Sequence, residues 1–163
     1  MNSIFKRTSV RMFEPRMVED EKIKDMLRAA MAAPSAMNQQ PWEFFIVKKR
    51  DILEKLSTAS KYAVCLKNAP AAILLCYRNN IPAPEYADID MAVCAENLLL
   101  EATELKLGAV FLGISPHKDR MDAVAEIINC PDNLTPFCII PFGYPAKEIM
   151  PKNHYDEKRI HEI

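Results

Sequence analysis

The chain has 163 residues, half of them apolar, and a formal net charge of −1, which fits one domain with a sizeable core and gives no basic or acidic excess to attract nucleic acid or an anionic membrane. Five cysteines, at 65, 76, 94, 130 and 138, are odd in number and form no C-x-x-C pair, so free thiols in a reducing compartment are expected rather than a disulfide frame or a zinc site. No apolar run approaches the roughly 18 residues of a membrane span, and the N-terminus has no secretory apolar region, so a soluble cytoplasmic protein is expected.

Residues 19–33 read as a helix, with Ile23, Met26, Leu27, Ala30 and Met31 at i, i+3, i+4, i+7 and i+8 and Pro34 ending the run. PSAMNQQPW (34–42) is a polar loop, Glu43–Lys48 a strand, 51–58 a short helix, and Ala71–Tyr77 a buried strand. The longest helix is 86–107. Met91, Ala95, Leu98, Ala102 and Leu105 form one stripe, and Ile89, Val93, Leu99 and Leu100 widen it around most of the circumference. A helix apolar on most sides is buried, in a core or at a subunit interface. Gly108 is placed to close it as the C′ residue. Ala109–Ile114 is a third strand, Ser115-Pro116 supplies an N-cap and N1 proline for a helix at 117–129, and Pro136–Phe142 is a fourth strand. Pro141 within it points to an edge or a bulge. The interleaved order is α/β or α+β. The tail from Tyr144 has too few apolar positions for its own core, so it is disordered or laid on another surface.

Four segments carry candidate chemistry. KRTSVRMF (6–13) alternates Lys6, Arg7, Ser9 and Arg11, either a solvated basic face or an anion clamp, since guanidinium forks grip phosphate and stay ionised. The 34–42 loop crowds Ser35, Asn38, Gln39 and Gln40, either capping residues of a turn or a rim of donors and acceptors for a planar heterocycle; Trp42 reads as core. Gly113 in GAVFLGISP marks a bulge or the close approach of a ligand. PKNHYDEKRIHEI (151–163) is a charged tail with Lys152 and His154. G-x-G-x-x-G and the P-loop pattern are both absent, no catalytic dyad is visible, and His117, His154 and His161 are not at metal spacing.

Taken together and in this order, these pieces resemble the nitroreductase family. R-x-S-x-R-x-F/Y is matched by Arg7, Ser9, Arg11 and Phe13, and A-P-S-x-x-N-x-Q-P-W by Ala33, Pro34, Ser35, Asn38, Gln40, Pro41 and Trp42. Asn97–Leu100, then Gly108, Gly113, Ile114 and Pro116, then Gly143–Ala146, and the tail residues Lys152, Tyr155, Asp156, Glu157, Ile160 and His161 follow the family's later motifs. The resemblance implies an α+β fold with a central mixed, mostly antiparallel sheet flanked by helices, in an intertwined homodimer. One domain spans 1–163, with 144–163 crossing to the partner. It implies FMN as cofactor, NADH or NADPH as donor, and a small-molecule acceptor such as a nitroaromatic or quinone, with two electrons passing through FMN N5. Alternative reactions on the same fold are dehalogenation, flavin destruction, or a non-enzymatic flavin-binding or sensing role. By the resemblance, Arg7 and Ser9 meet the FMN phosphate or ribityl, and Arg11 meets the pyrimidine edge. Pro34, Ser35 and Asn38 reach the flavin from the other subunit. The backbone of Gly113 and Ile114 lies near N5 and O4, and Lys152 meets the phosphate. His154 stands where the family often has Arg. Lys106 replaces a common glycine.

Overall fold

The computed structural model describes residues 3–147 and 149–163. A short α1 (Ser3–Lys6) precedes α2 (Asp20–Met31); β1 (Trp42–Val47), α3 (Arg50–Leu56) and β2 (Ala71–Arg78) follow. Then come the 18-residue α4 (Ala87–Glu104), β3 (Gly108–Ala109), β4 (Leu112–Gly113), α5 (Lys118–Ile128) and β5 (Leu134–Gly143). The sheet runs β1-β2-β5-β3, with β4 also on β5, and all these ladders are antiparallel. A parallel pairing comes from an isolated bridge between Ser9 and Ala109. The expected α+β architecture is the one observed.

The apolar run of β2 reflects a strand covered on both faces. Ala71, Ile73 and Leu75 pack with α2 and α4 around Met26, Met91, Leu98 and Phe142. Ala72, Leu74 and Cys76 point the other way, toward Leu53, Leu56 and Val124 of α3 and α5. Trp42 is buried in the first of these cores. On β5 the alternation slips. Leu75 pairs with Cys138 but Cys76 with Pro136, so Phe137 is the extra residue of a bulge, and Phe137 and Cys138 share one face.

Four sequence expectations need correction. Pro141 is not on an edge, because β5 lies between β2 and the β3/β4 pair. Its effect falls on its neighbour. Val110 donates to the Pro141 carbonyl (3.3 Å), and the reciprocal bond is lacking because proline has no N–H. The strand expected over 109–114 is therefore split into β3 and β4, although their register on β5 is continuous. Gly108 is not the C′ residue of α4. Lys106 holds that place with φ 61°, with Lys106 N–H on Thr103 O (3.1 Å) and Leu107 N–H on Ala102 O (2.7 Å), a Schellman ending. Gly108 is required for close packing instead, since a Cβ there would sit 2.6 Å from the Val10 side chain. Ser115 does not cap α5. Its hydroxyl donates to Asp88 (2.8 Å), and the helix begins after His117.

α4 buries Met91, Cys94, Ala95, Leu98 and Ala102, while Ile89 and Val93 of its apolar girdle stay exposed. Ile4, Phe5, Met12, Met17 and Met31 are exposed as well. Among the described residues, 156–163 form hydrogen bonds only with each other. Among the described residues, no helix is long and apolar enough to cross a membrane.

Candidate functional site

The segment after α1 is extended and alternates. Val10 turns inward, its N–H on Ala109 O (3.0 Å), so Ser9 and Arg11 turn outward. Facing them are residues 149–155 of the tail. Between the two lies a cavity of about 1120 Å³ lined by Arg7, Thr8, Ser9, Arg11, Lys152, His154 and apolar neighbours including Ile4 and Phe5. Five of the ten candidate residues thus meet in one place: Arg7, Ser9, Arg11, Lys152 and His154. Among the described residues, no carboxylate side chain lines it. Arg7 is oriented from behind by Glu96 of α4, Nε to Oε1 at 3.2 Å. Arg11 has a long contact to Ser9 O (3.4 Å) and forms no ion pair among the described residues.

Arg11 also lines a second cavity of about 230 Å³, with Tyr62, Phe111, Leu112, Gly113, Ser115, His117 and Arg120. Gly113 belongs here for a physical reason. A Cβ at Gly113 would come no closer than 3.7 Å to any atom, in contrast to the collisions at Gly108 and Gly143. Internal packing therefore does not call for a glycine here, and the space beside its Cα is open. Hydrogen-bonded pairs alternate along an antiparallel ladder, and both Val110 and Ile114 bond to β5, so the Gly113 N–H faces the outer edge of the sheet. Ile114 is fully buried and its N–H is taken by Phe137 O (3.1 Å), so it does not line the cavity. Burial pushes the Cys65 thiol up, with Arg11 nearby opposing the shift.

Pro34, Ser35 and Asn38 line neither cavity. Their loop is tied internally: Gln40 N–H donates to Ser35 Oγ (2.9 Å), and Gln40 Nε2 to Asn38 Oδ1 (3.1 Å). The loop is anchored by Gln39, one of the polar residues noted in its sequence, and by Asp90, which sequence reasoning passed over. The buried Asp90 of α4 accepts from the Ala36 N–H (2.9 Å) and from Gln39 Nε2 (2.7 Å), and Gln39 closes a pair of bonds with Ala83. Asp90 is an acid inside an apolar helix, and that pattern break was the available signal. Glu96 and Arg120 gave none, because each looks like an ordinary surface charge until the fold places it.

Comparison with known proteins adds an independent line. The model of the nitroreductase family matches residues 4–80 and 59–144. A protein of Archaeoglobus fulgidus, provisionally named an NADH dehydrogenase/NAD(P)H nitroreductase, is 39% identical over 151 residues, 91% of this chain and 86% of its own. The crystal structure of a Clostridium acetobutylicum protein provisionally named an NADH oxidase superposes with a TM-score of 0.95 at 47% identity, covering 98% of each chain. An FMN-dependent nitroreductase of Clostridium difficile superposes with a TM-score of 0.91 at 28% identity, covering 99% of this chain and 97% of that one.

Proposed function

The chain belongs to the nitroreductase family, and from that membership we propose that it is an FMN-dependent oxidoreductase, taking two electrons from NADH or NADPH and passing them to a small acceptor such as a nitroaromatic or a quinone. The observation that carries this reading is the large cavity with Arg7, Arg11, Lys152 and His154 on its lining and, among the described residues, no carboxylate side chain beside them. A phosphate needs fixed cations and hydroxyl donors in reach, and Ser9 and Thr8 supply the hydroxyls. A volume of about 1120 Å³ is ample, since drug-sized ligands occupy about 300–1,000 Å³. The free space at the Gly113 Cα fits a flat ring lying against the sheet edge.

Bound there, FMN supplies two-electron transfer between a reduced nicotinamide and an acceptor. The chain's own part is binding and electrostatics. Arg7, Ser9, Lys152 and His154 hold the phosphate and ribityl, with Glu96 fixing the direction of the Arg7 fork. Arg11 reaches the pyrimidine edge, where a permanent guanidinium favours negative charge as it develops. The outward Gly113 N–H is a donor to the ring, and the buried Ile114 anchors that donor to β5. No side chain needs to act as acid or base.

The site is completed by a second copy of the chain. Pro34, Ser35 and Asn38 are presented on a rigid loop away from this chain's cavities, in position to serve the partner's. The exposed Ile89, Val93, Ile4 and Phe5 provide the apolar contact. The expectation that all of 144–163 crosses to the partner is too wide: Tyr144 and Ala146 bond to Glu14 and Met12 of their own chain and 149–155 line their own chain's cavity, so the crossing is proposed for 156–163. Equilibrium dialysis should find one FMN per chain, and sedimentation velocity should find a dimer at micromolar concentration. A chain that takes up no FMN, or an FMN-loaded protein that NADH and NADPH both fail to reduce anaerobically, would defeat the proposal.

A further inference from the structure

The second cavity carries more recognition chemistry than the cofactor uses. Arg11 and Gly113 are given to the flavin; Tyr62, Phe111, Ser115, His117 and Arg120 have no part in that reading. Arg120 touches the Gly113 carbonyl (3.4 Å) and forms no ion pair among the described residues. It lies three residues after His117, the N-cap of α5, and both line the cavity. Among the described residues no carboxylate side chain lines the cavity; Asp88 stands behind it, accepting a hydrogen bond from the Ser115 hydroxyl. Arg120, a guanidinium with no acidic partner among the described residues, is turned toward this space and is a partner for an anion. The walls are aromatic. Phe111 is exposed and braced edge-on by Phe137, with centroids 5.8 Å apart at 81°, and Tyr62 is exposed opposite the sheet. The cavity holds about 230 Å³ and shares Arg11 and Gly113 with the flavin, so a ligand gripped by Arg120 lies beside the cofactor.

We propose that this cavity docks the electron acceptor and selects small planar anions, aromatic carboxylates in particular, with Arg120 gripping the carboxylate and His117 adding a second donor. The inference rests on the FMN-dependent reading and names the acceptor class for it. Arg120 is a specificity residue, and its guanidinium fork matches the two oxygens of a carboxylate. The 2′-phosphate of NADPH offers related anionic chemistry, so the test has an arm for each.

The FMN-loaded dimer is given 4-nitrobenzoate or 4-nitrobenzamide as acceptor, and the ratio of the two kcat/KM values is read. Comparing that ratio between variants removes the difference in intrinsic reducibility of the two compounds. Arg120→Gln should lower the ratio about tenfold, the loss of a charged hydrogen bond, and Arg120→Lys should restore part of it. Lys118→Gln removes the same charge from the same helix. Lys118 pairs with Asp122 (2.9 Å) and does not line the cavity, so the ratio should stay as in the unmodified protein. Without turnover, benzoate should perturb the absorbance of the bound oxidised flavin at lower concentration than benzamide, and Arg120→Gln should erase that preference. A ratio that Arg120→Gln leaves unmoved overturns the inference. So does a variant that changes only the NADPH-to-NADH preference, since that gives the anion site to the donor. Failure to bind FMN at all overturns the reading of the main site instead.

Discussion

Gln39 and Asp90 join two distant parts of the chain by a buried 2.7 Å hydrogen bond, Gln39 Nε2 donating to Asp90 Oδ2. The other Asp90 oxygen accepts the Ala36 N–H. The loop they secure holds Met37, Asn38 and Gln40 at φ 51°, 53° and 45°, where each non-glycine residue costs about 1–2 kcal/mol. Such a conformation persists only when its surroundings impose it. Asp90→Ala leaves the half-buried Ala36 N–H and one of the two Nε2 hydrogens of the buried Gln39 without an acceptor, at about 1–3 kcal/mol each. A loss of about 2–4 kcal/mol in urea denaturation is expected, together with weaker FMN binding as the loop relaxes. An unchanged denaturation midpoint would show that the clamp is dispensable.

Gly113→Ala separates folding from cofactor binding. Its Cβ meets nothing closer than 3.7 Å, and alanine in a strand is favoured over glycine by about 0.5–1 kcal/mol. Thermal stability of the cofactor-free protein should be equal or slightly higher, while FMN affinity measured by dialysis drops at least tenfold. Gly108→Ala should do the reverse, destabilising by about 1–3 kcal/mol against Val10. Equal FMN affinity in Gly113→Ala and the unmodified protein would refute the assignment of that space.

Lys106 is an exposed lysine in the left-handed C′ position of α4. Lys106→Gly removes about 1 kcal/mol of backbone strain and gives back part of it through the greater entropy of the unfolded chain. A net gain of about 0.5 kcal/mol in chemical denaturation is expected, and a loss of stability would contradict the Schellman ending.

Glu19 sits where the chain enters α2, and its carboxyl is pushed down to about 2 from an ordinary 4.5, first by the hydrogen bond from the Tyr144 hydroxyl (2.6 Å) and then by its own backbone amide, with Lys22 and Arg16 adding smaller effects. A depressed carboxylate stabilises the fold fully above pH about 4.5 and loses that contribution as pH falls toward about 2. Tyr144→Phe should therefore flatten the stability curve in that acid window, and the group's exposure to solvent keeps the effect modest. Parallel acid-denaturation curves for the two proteins would remove Tyr144 as the cause.

Arg11 has no acidic partner among the described residues, including Glu14, so its charge is not neutralised within the chain. If it faces the flavin edge where negative charge develops, Arg11→Gln lowers the two-electron midpoint potential by on the order of tens of millivolts. FMN remains held by Arg7 and Lys152. Spectroelectrochemical titration of the FMN-saturated variant checks this, and an unshifted potential would reduce Arg11 to a binding role.

Local pattern was enough for the elements. The i, i+3, i+4 stripe of 23–31, the apolar run of 71–77 and the amphipathic break at Pro34 lie within a few residues of where the chain shows them, because each depends on neighbours one turn or one pleat away. The basic 7–11 stretch and the 34–42 loop were also legible as recognition chemistry, since their residue types are unusual at those spacings.

What only the tertiary structure decided is everything that depends on residues far apart in the chain. Arg11 and Arg120 share a cavity across more than a hundred positions, and Lys152 meets Arg7 only because the tail folds back. Pro141 interrupts not its own strand but the one beside it, and Gly108 answers to Val10 rather than to the helix it follows. A hydrogen-bond partner or a packing neighbour is chosen in space. The sequence determined which segments become helix and strand and which side chains carry charge; the fold determined which of them stand opposite one another.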